Sequence, residues 1–383
     1  MATEPNLSYN LNEISNAFLI NGGVGEVLHY GSGHINDTFH VKNTDKGESD
    51  YLLQRINHYV FTEVPSLINN IKLVTQHIRK KMLGIDGYQP DKEILTLIPT
   101  RNNQYYHKDA DGNYWRMYYF LKDTLTYDIV ETPNQAYEGG KAFGKFQACL
   151  SDMDATLLVE TIPDFHNIEK RINTLRRVIN ENPVDRVKEL DGQLQFIFER
   201  EEAMKTILNL GRNGQLPLRI THNDTKFSNV LLDKHDKAQC VIDLDTVMPG
   251  YVAYDFGDAI RSSANTAAED EADLSKIDVN LDIYKAFTAG FLSETCSFLT
   301  PTEISSLTMG ALLFPYIMGV RFLTDYIDGD NYYKISSPKH NLQRANAQFQ
   351  LLRKLEENHN TLNEIVMTEA KKFGVITSMK IPM

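Results

Sequence analysis

Short apolar runs separated by polar, glycine-containing connections fill the first third of the chain, a pattern that predicts antiparallel strands. The predicted strands cover residues 27–30, 38–41, 51–56, 93–99, 104–107 and 114–121. One amphipathic helix is predicted from 64 to 81, because apolar residues recur there at helical spacing behind Pro65 at the first turn. We expect one helix and a five-stranded antiparallel sheet, which would take five of these six candidate segments.

The pattern becomes mainly helical from about residue 133. A helix face ends near Leu150, and the longer periodic segments predict helices over 168–180, 187–210, 277–298, 301–326 and 338–373. Short strands are predicted at 218–220, at 230–232 and directly before Asp243. The predicted fold class is α+β with two lobes. Residues 1–121 are expected to form the first lobe and residues 122–383 the second, mainly helical lobe.

Composition narrows the range of functions. With 383 residues the chain is long enough for two lobes, and 42% hydrophobic and 23% charged residues are ordinary for a globular protein. A net charge of -12 argues against nucleic acid or an anionic membrane as the main partner. The three cysteines, Cys149, Cys240 and Cys296, are too widely spaced to indicate disulfides or a zinc site.

Nothing in the sequence indicates export or a membrane span. The first ten residues have neither the basic start nor the apolar core of a signal peptide. The longest apolar stretch, Ala311 to Val320, is too short for a span and contains Pro315. We predict a soluble protein of the reducing cytoplasm, and its oligomeric state stays open.

Candidate chemistry is concentrated between Ile220 and Asp245, in ITHNDTKFSNVLLDKHDKAQCVIDLD. Asp and Asn more often cap helices and close turns than catalyse. Here, however, Asp224 and Asn229 share a loop between two strands, and a hairpin returns Asp243 to it. Phosphoryl transfer from ATP needs such a set, so Asp224 is predicted as the base and Asn229 and Asp243 as Mg²⁺ ligands.

A nucleotide site is predicted in the N-terminal lobe. The turn GSGHIND would cover phosphates with its backbone amides, and Arg55 on the third strand is the candidate cation for the phosphates. No Glu is well placed to pair with Arg55, apart from Glu63 at the start of the helix. The lobe junction after the fifth strand would contact adenine. The predicted nucleotide-binding residues are Gly31, Gly33, Asn36, Arg55, Phe120, Leu121 and Lys122.

The tripeptide Asp255-Phe256-Gly257 spells the metal-binding motif of protein kinases, but its position argues against that role. In the kinase template the metal-binding acid arrives on the strand that returns from the catalytic loop, which Asp243 does. Asp255 and Asp258 are instead predicted to hydrogen-bond backbone groups behind the loop. Asp245 could face either the metal or the acceptor.

The loop HNDTKFSN followed by VIDLDT resembles the aminoglycoside phosphotransferase and choline kinase family, the small-molecule branch of the protein-kinase-like fold. Several further blocks are similar to the N-acetylhexosamine 1-kinases: GSGHINDTFHV, YLLQRIN, ETIPDFHN, THNDTKFSNVLLD, VIDLDTVMPG, DFGD and RFLTDYIDGDNYY. The blocks run from Gly31 to Tyr333, so the likeness covers most of the chain.

The resemblance implies a bilobal protein-kinase-like fold and an enzyme of carbohydrate metabolism. Its reaction would be ATP- and Mg²⁺-dependent phosphorylation of the anomeric hydroxyl of N-acetylglucosamine or N-acetylgalactosamine. It also implies that the sugar contacts His34, Asp224, Asp243, Thr246, Arg321 and Tyr332. His166 is expected to be structural, although the resemblance places it near the acceptor pocket. For Arg321 the default expectation from the residues alone is a structural ion pair.

Two alternatives remain open. The same machinery could phosphorylate another hydroxyl, in choline, an amino acid, methylthioribose or an aminoglycoside. A cationic acceptor needs an acidic pocket or an aromatic cage, which Arg321 and His34 in the cleft would oppose. The other alternative is a non-catalytic, pseudokinase-like binding protein. The choice between gluco- and galacto-configured sugars depends on side-chain placement that the sequence does not define.

Overall fold

The computed structural model describes residues 9–31 and 35–374. The chain divides into two compact units, Met1–Thr124 and Leu125–Met383. Each unit has its own hydrophobic core. The sequence-predicted Gly33 and His34 lie outside the described residues.

The first unit contains the predicted five-stranded antiparallel sheet. Its strands are β1 (Val24–His29), β2 (Asp37–Asn43), β3 (Tyr51–Ile56), β4 (His107–Lys108) and β5 (Tyr114–Tyr119), in the order β1-β2-β3-β5-β4. Its helices are α1 (Leu11–Asn16), α2 (Val64–Met82) and α3 (Pro90–Glu93). The helix predicted over 64–81 is therefore confirmed as α2.

The strand predicted over 93–99 is wrong. Glu93 ends α3, and the following residues only run beside β5. The N–H of Ile98 donates to the oxygen of Met117 at 2.8 Å, and the N–H of Tyr119 donates to the oxygen of Thr96 at 3.3 Å. Proline explains the difference, because Pro90 starts a helical turn at the beginning of the segment and Pro99 has no N–H for a ladder.

One face of the sheet packs against the N-terminal helix. Alternate residues of three strands form this cluster with Ile14 and Phe18: Phe39, Val41, Tyr51, Leu53, Trp115 and Met117. Successive side chains of a strand point to opposite faces, so Arg55 shares the face of Tyr51 and Leu53. The face on which Arg55 lies determines which residues its side chain can contact.

The second unit is mainly helical. Its helices are α4 (Pro133–Leu150), α5 (Ile168–Glu181), α6 (Asp191–Met204), α7 (Thr206–Arg212), α8 (Val252–Ser263), α9 (Leu281–Thr295), α10 (Pro301–Asp328), α11 (His340–Glu357) and α12 (His359–Lys371). Two short antiparallel pairs stand among them: β6 (Arg219–Thr221) with β9 (Met248–Gly250), and β7 (Val230–Leu232) with β8 (Ala238–Val241). The α+β class is thereby confirmed.

Two of the long predicted helices are each interrupted. The helix predicted over 187–210 is divided at Lys205 into α6 and α7, and the one predicted over 338–373 is divided at Asn358 into α11 and α12. At Asn358 the side-chain Nδ2 donates to the carbonyl of Lys354 at 2.9 Å and so competes with the helical backbone. Neither break disturbs the spacing of apolar residues, which is why periodicity missed it.

Helix α10 forms the centre of the second unit. It begins with a capping box between Thr300 and Glu303 and ends at Gly329, whose φ of 99° closes the helix. By length and composition alone this helix could cross a membrane, and it is longer than the apolar stretch from Ala311 to Val320. Within the fold, however, 83% of its most apolar window is buried, as in the core helix of a soluble protein.

Helices α8 and α10 cross in backbone contact. A Cβ atom built on Gly257 would overlap the carbonyl of Gly310, and one built on Gly310 would overlap the carbonyl of Ala253. The glycine of the Asp255-Phe256-Gly257 tripeptide therefore serves a helix crossing. The tripeptide itself lies within α8, directly behind the loop that follows β6.

Candidate active site

The residues predicted to catalyse and to bind metal are brought together by a loop between β6 and β7. Asn229 ends this loop, and its carbonyl accepts a hydrogen bond from the N–H of Ile242 at 2.9 Å. The Nε2 of His222 lies 2.9 Å from the carbonyl of Ile242, so Nε2 carries the proton in this contact. Asp243 follows Ile242 directly. Two hydrogen bonds thus join the end of β8 to the loop that carries Asp224.

The Asp224 carboxylate is held by one of its oxygens. Oδ2 accepts from Lys226 Nζ at 3.1 Å and from Asn229 Nδ2 at 3.1 Å. Asn229 Nδ2 also donates to the backbone oxygen of Asp224 at 2.8 Å. Oδ1 receives no hydrogen bond from any residue within the described ranges, and 31% of the side chain is exposed. One oxygen is therefore fixed, and the other can accept a hydrogen bond from a hydroxyl.

Charge on the loop keeps Asp224 ionised. Burial works to raise the pKa of Asp224, but the charge of Lys226 and the hydrogen bonds from Lys226 and Asn229 outweigh it, and the pKa lies below its ordinary value. In return, the charge of Asp224 raises the pKa of Lys226. Sequence reasoning missed Lys226. Its position within HNDTKFSN was the only available signal.

Asn229 and Asp243 offer the oxygen ligands that Mg²⁺ prefers. The amide nitrogen of Asn229 faces Asp224, and its Oδ1 makes no hydrogen bond within the part of the chain that the structure describes. Asp243 adopts the left-handed conformation, with φ of 62° and ψ of 57°, which Asp tolerates better than most residues. One amide and one carboxylate fit the few protein ligands that Mg²⁺ takes beside nucleotide phosphates.

A larger metal-binding cluster is not present: residues 9–31 and 35–374 contain no group of three His, Cys, Asp or Glu side chains that could hold a metal ion. A two-ligand site is therefore the arrangement that the described residues support.

Helix α8 anchors the loop between β6 and β7, from His222 to Asn229, which we call the catalytic loop. The Asp255 carboxylate accepts from the N–H of His222 at 2.9 Å and of Asn223 at 2.7 Å, and Asp258 accepts from the N–H of Thr225 at 3.0 Å. The predicted role of these two acids behind the loop is confirmed by these contacts. Burial raises the pKa of Asp255. Since three N–H groups of the loop donate hydrogen bonds to carboxylates on α8, the fold itself sets the geometry of the loop.

Thr246 and Asp245 lie in the 3₁₀ turn after Asp243. The Thr246 hydroxyl donates to the carbonyl of His222 at 2.7 Å, so its proton supports the loop. Both side chains are buried. The predicted contact of Thr246 with the acceptor stays a prediction.

In the first unit, Arg55 has a partner on the neighbouring strand. Its Nε lies 2.6 Å from Asp37 Oδ2, and the two residues are paired in register between β2 and β3. The guanidinium also lies 5.6 Å from the centre of the Tyr9 ring. Arg55 would have to share or release Asp37 in order to neutralise a phosphate, so its nucleotide role stays a prediction.

The opposite face of the sheet carries a second cation, Arg116 on β5. Arg116 Nε donates to Gln54 Oε1 at 2.9 Å, and Arg116 is only 1% exposed. Sequence analysis did not single out this arginine.

The turn before β2 is described only in part. Gly31 has a φ of 77°, a conformation that favours glycine. The side-chain oxygen of Asn36 accepts from the N–H of Asn57 at 2.9 Å and so links the turn to the end of β3. The proposed phosphate contacts of Gly31, Gly33 and Asn36 stay predictions, as does the sugar contact of His34.

The predicted adenine-binding segment begins at Phe120. Its ring is stacked on His40 with centroids 4.1 Å apart, and its N–H donates to the carbonyl of Asp50 at 2.9 Å. Lys122 Nζ lies 3.2 Å from Asp50 Oδ2, and the Leu121 carbonyl accepts from the Thr124 hydroxyl at 3.2 Å. Asp50 thus holds both ends of this segment in position.

The structural ion pair expected for Arg321 is wrong. Within the described ranges no carboxylate lies at salt-bridge distance from it. Its guanidinium carbon instead lies 5.2 Å from the ring centre of Phe165, 5.6 Å from that of Tyr333 and 6.0 Å from that of Tyr332. An arginine is weakly hydrated and planar, so aromatic faces can take the place of an acid.

His166 is buried beside this arginine, as its predicted structural role requires. Its Nε2 lies 3.0 Å from the carbonyl of Asn223, the residue before Asp224. Burial lowers the pKa of His166 to about 3, and the charges of Arg321 and Arg171 act in the same direction. The imidazole is therefore neutral near neutral pH.

Together these groups are suited to transferring a phosphoryl group to a hydroxyl. A carboxylate oxygen is open to the acceptor, two oxygen ligands suit a divalent cation, and the loop is held in place before any ligand binds. The family model described as the phosphotransferase enzyme family (APH) matches residues 26–278. Because the match covers more than half of the chain, the chain belongs to this phosphotransferase family.

Solved structures of small-molecule kinases share the fold. An aminoglycoside phosphotransferase from Alicyclobacillus acidocaldarius has a TM-score of 0.59 at 12% identity, covering 94% of this chain and 96% of its own. A choline kinase from Cryptosporidium parvum has a TM-score of 0.57 at 16% identity, covering 93% and 95%. An amicoumacin kinase in complex with AMP-PNP, Ca²⁺ and Ami has a TM-score of 0.54 at 11% identity, covering 92% and 94%. At these identities the likeness confirms the protein-kinase-like fold alone.

Proposed function

We propose that this protein is an ATP- and Mg²⁺-dependent kinase that phosphorylates the anomeric hydroxyl of N-acetylhexosamines, N-acetylglucosamine or N-acetylgalactosamine, to the sugar 1-phosphate. The observation that carries the choice of acceptor is the state of the aromatic side chains around Arg321. Phe165, Tyr332 and Tyr333 already face the protein's own guanidinium group.

This arrangement disfavours a cationic acceptor. Choline or an aminoglycoside needs aromatic faces or carboxylates to receive its positive charge, but here the aromatic faces are taken by an arginine. Arg171 lies close enough that the charge of Arg321 lowers its pKa, after burial as the larger cause. Two positive side chains repel a cation and favour oxygen atoms of a neutral, hydrogen-bonding acceptor such as a sugar.

The proposed mechanism places Asp224 at the acceptor hydroxyl. Its open Oδ1 would accept the hydrogen bond of the anomeric hydroxyl and orient an oxygen lone pair for attack on the γ-phosphorus of ATP. Because its pKa is low, Asp224 would take the proton only as the new oxygen–phosphorus bond forms and the bond between the γ-phosphorus and the bridging oxygen breaks, which releases ADP. An anomeric hydroxyl is more acidic than an ordinary alcohol, which makes this late transfer easier.

Asn229 and Asp243 would hold Mg²⁺ through their side-chain oxygens. When bound, this ion neutralises negative charge on the nucleotide phosphates. Lys226, which shares the field of Asp224 and Asp243, adds a fixed positive charge on the same loop. Arg55 is the proposed phosphate contact from the first unit.

The test is phosphate transfer from ATP to a panel of acceptors, with the product identified by phosphorus NMR. The panel contains N-acetylglucosamine, N-acetylgalactosamine, methylthioribose, choline, an amino acid alcohol and an aminoglycoside. We expect a sugar 1-phosphate from an N-acetylhexosamine and the lowest turnover with the cationic compounds. Preferred phosphorylation of choline or an aminoglycoside would contradict the proposal.

A non-catalytic binding protein is the second candidate. A thermal shift by ATP and Mg²⁺ without transfer to any acceptor of the panel would favour it. Asp224 and Asn229 are in contact on one loop, and two hydrogen bonds of Ile242 carry the adjacent Asp243 to that loop; this arrangement argues for catalysis instead.

A further inference from the structure

Arg261 lies on α8 one turn after Asp258, and its guanidinium group holds one oxygen of that carboxylate. Its Nε and Nη2 atoms donate to Asp258 Oδ1 at 2.9 Å and 2.8 Å. The other oxygen, Oδ2, accepts from the N–H of Thr225 at 3.0 Å, and Thr225 directly follows Asp224. The Asp258 carboxylate therefore connects Arg261 to the residue next to the proposed base.

The other terminal nitrogen of Arg261 contacts the segment between α8 and α9. Nη1 donates to Glu269 Oε2 at 2.8 Å. Only 9% of the Arg261 side chain and 5% of the Asp258 side chain are exposed, whereas 42% of the Glu269 side chain is exposed. The three side chains thus form a continuous series of contacts from the surface to the catalytic loop. We call Asp258, Arg261 and Glu269 the α8 ion-pair cluster.

Burial makes this cluster depend on matched charges. Burial raises the pKa of Asp258, and the nearby charge of Asp224 acts in the same direction, whereas the charge of Arg261 opposes the rise. Burial works to lower the pKa of Arg261, but the charges of Asp258 and Glu269 outweigh it and raise this pKa. Removing the guanidinium would leave a buried carboxylate without compensation. A carboxyl group that takes up a proton is a weaker acceptor for the N–H of Thr225.

Asp224 is held between two carboxylates of α8. The N–H before it, on Asn223, donates to Asp255 at 2.7 Å, and the N–H after it, on Thr225, donates to Asp258 at 3.0 Å. The two peptide groups beside Asp224 determine where its side chain begins, so a shift at Asp258 would move the carboxylate of the proposed base. A displacement of about 1 Å at a reacting group can lower a rate by about a hundredfold.

We propose that Arg261 is a positioning residue for the proposed base, and that Glu269 holds the guanidinium group of Arg261 in place from the neighbouring surface segment. This inference deepens the function proposed above and rests on it, because it assigns both residues to the placement of Asp224. They act through Asp258 and Thr225, and neither is assigned a contact with ATP or the acceptor.

The first test compares Arg261→Gln with Arg200→Gln, which removes a similar ion pair far from the catalytic loop in the chain. Arg200 donates from Nε and Nη2 to the two oxygens of Glu356, at 2.8 Å and 3.0 Å. We expect Arg261→Gln to lower kcat by about tenfold to a hundredfold, while KM for ATP and for N-acetylglucosamine changes less than twofold. Arg200→Gln should leave kcat within twofold of the wild-type value.

A purely structural role of Arg261 would give a different result. The folded fraction of each variant is measured by urea unfolding, and kcat is expressed per folded molecule. A variant that is less stable but keeps the wild-type kcat, or that raises KM in place of lowering kcat, overturns the inference.

The second test uses Glu269→Gln, which leaves the contact between Arg261 and Asp258 in place and therefore also serves if Arg261→Gln does not fold. Glu271→Gln is the control, because Glu271 lies in the same segment and approaches Lys276 at 3.7 Å. We expect Glu269→Gln to lower kcat by about threefold to tenfold, since one charged hydrogen bond is weakened, without a change in KM. An unchanged kcat, or an equal loss in Glu271→Gln, contradicts the role of Glu269.

Hydrogen exchange tests the positioning without any acceptor. The amide of Thr225, followed by mass spectrometry with fragmentation, should exchange about threefold faster or more in Arg261→Gln and Glu269→Gln. Its rate in Arg200→Gln and Glu271→Gln should equal that of the wild type. If the wild-type protein transfers phosphate to no N-acetylhexosamine, the proposed function fails, and faster exchange in these two variants still supports the positioning of the loop. Unchanged exchange in both variants overturns the inference, whichever acceptor the protein uses.

Discussion

The loop from His222 to Asn229 and the arginine cluster, which consists of Arg171, Arg321, Phe165 and His166, are neighbours in the second unit. Their polar groups are satisfied in opposite ways. On the loop, the N–H groups of His222 and Asn223 donate hydrogen bonds to the Asp255 carboxylate, and the Thr246 hydroxyl donates to the His222 carbonyl. In the cluster, Arg321 is held by aromatic rings, and the Nδ1 atom of His166 has no partner within the described residues.

The difference indicates that the two regions have different roles, one in the rate of transfer and the other in binding. A loop whose backbone is fixed by hydrogen bonds before ligand binding needs little rearrangement during the reaction, and such preorganisation lowers the barrier to transfer. A cluster whose donors and acceptor lack partners leaves hydrogen-bonding groups for a ligand to satisfy, and such contacts contribute to affinity and selectivity. We therefore expect loop variants to change kcat and cluster variants to change KM.

The largest effect should follow from removing the proposed base. Asp224→Asn keeps the size of the side chain but loses the charge that would orient and deprotonate the hydroxyl. We expect kcat to fall by about a hundredfold to ten-thousandfold, with the affinity for ATP and Mg²⁺ nearly unchanged. Steady-state kinetics and nucleotide titration measure the two quantities. Unchanged turnover in this variant would remove Asp224 as the base.

The next effect tests whether the loop depends on its anchor in α8. Asp255→Asn places an N–H donor where both carboxylate oxygens now accept from loop N–H groups. We expect a loss of about 1–3 kcal/mol in the free energy of unfolding, together with a lower kcat. Urea unfolding and kinetics measure these.

The control for that variant is Asp273→Asn, in an exposed turn where Asp273 caps Ser275, and it should change little because Asn caps as well as Asp. Equal effects of the two substitutions would contradict a special anchoring role for Asp255.

A smaller effect concerns the neutral His166. Its pKa is about 3 in the folded protein and about 6.5 in an unfolded chain. Between these values the unfolded state binds more protons, so stability falls as pH decreases below about 6.5. Between pH 6.5 and pH 5 the loss from this group should be about 2 kcal/mol.

Urea unfolding at both pH values should therefore show a smaller loss of stability in His166→Gln than in the wild type. His235→Gln, in an exposed turn, should behave like the wild type. If His166→Gln shows the same pH dependence as the wild type, His166 is not held neutral by the fold.

The smallest effect separates the charge of Lys226 from the charge of Asp224. Lys226 lowers the pKa of Asp224, and activity is lost as pH falls through that pKa. Lys226→Met should therefore move the acidic limb of the kcat profile to higher pH. Lys234→Met, an exposed lysine in the turn after β7, is the control. A limb at unchanged pH in Lys226→Met would show that Lys226 does not act on the base.

Several features could be predicted because they depend on residues near one another in the chain. Alternation and helical spacing predicted the sheet of the first unit and most helices of the second, since both periods are local properties of the backbone. The grouping of Asp224, Asn229 and Asp243 was also predictable, because one short loop and one hairpin bring them together. Proline and asparagine signals at Pro90 and Asn358 were present but were outweighed by the apolar spacing.

Partners across long stretches of chain were decided by tertiary structure alone. The strand register pairs Arg55 with Asp37, and the crossing of α8 with α10 brings the backbone of Gly310 against Gly257. The packing of α10 against the segment before α5 gave Arg321 aromatic rings in place of an acid. The spacing of apolar residues predicts that a side chain will be buried, but it does not predict which distant group will lie beside that side chain. For that reason the sequence determined the elements and the catalytic loop, and only the packed structure revealed the arginine cluster.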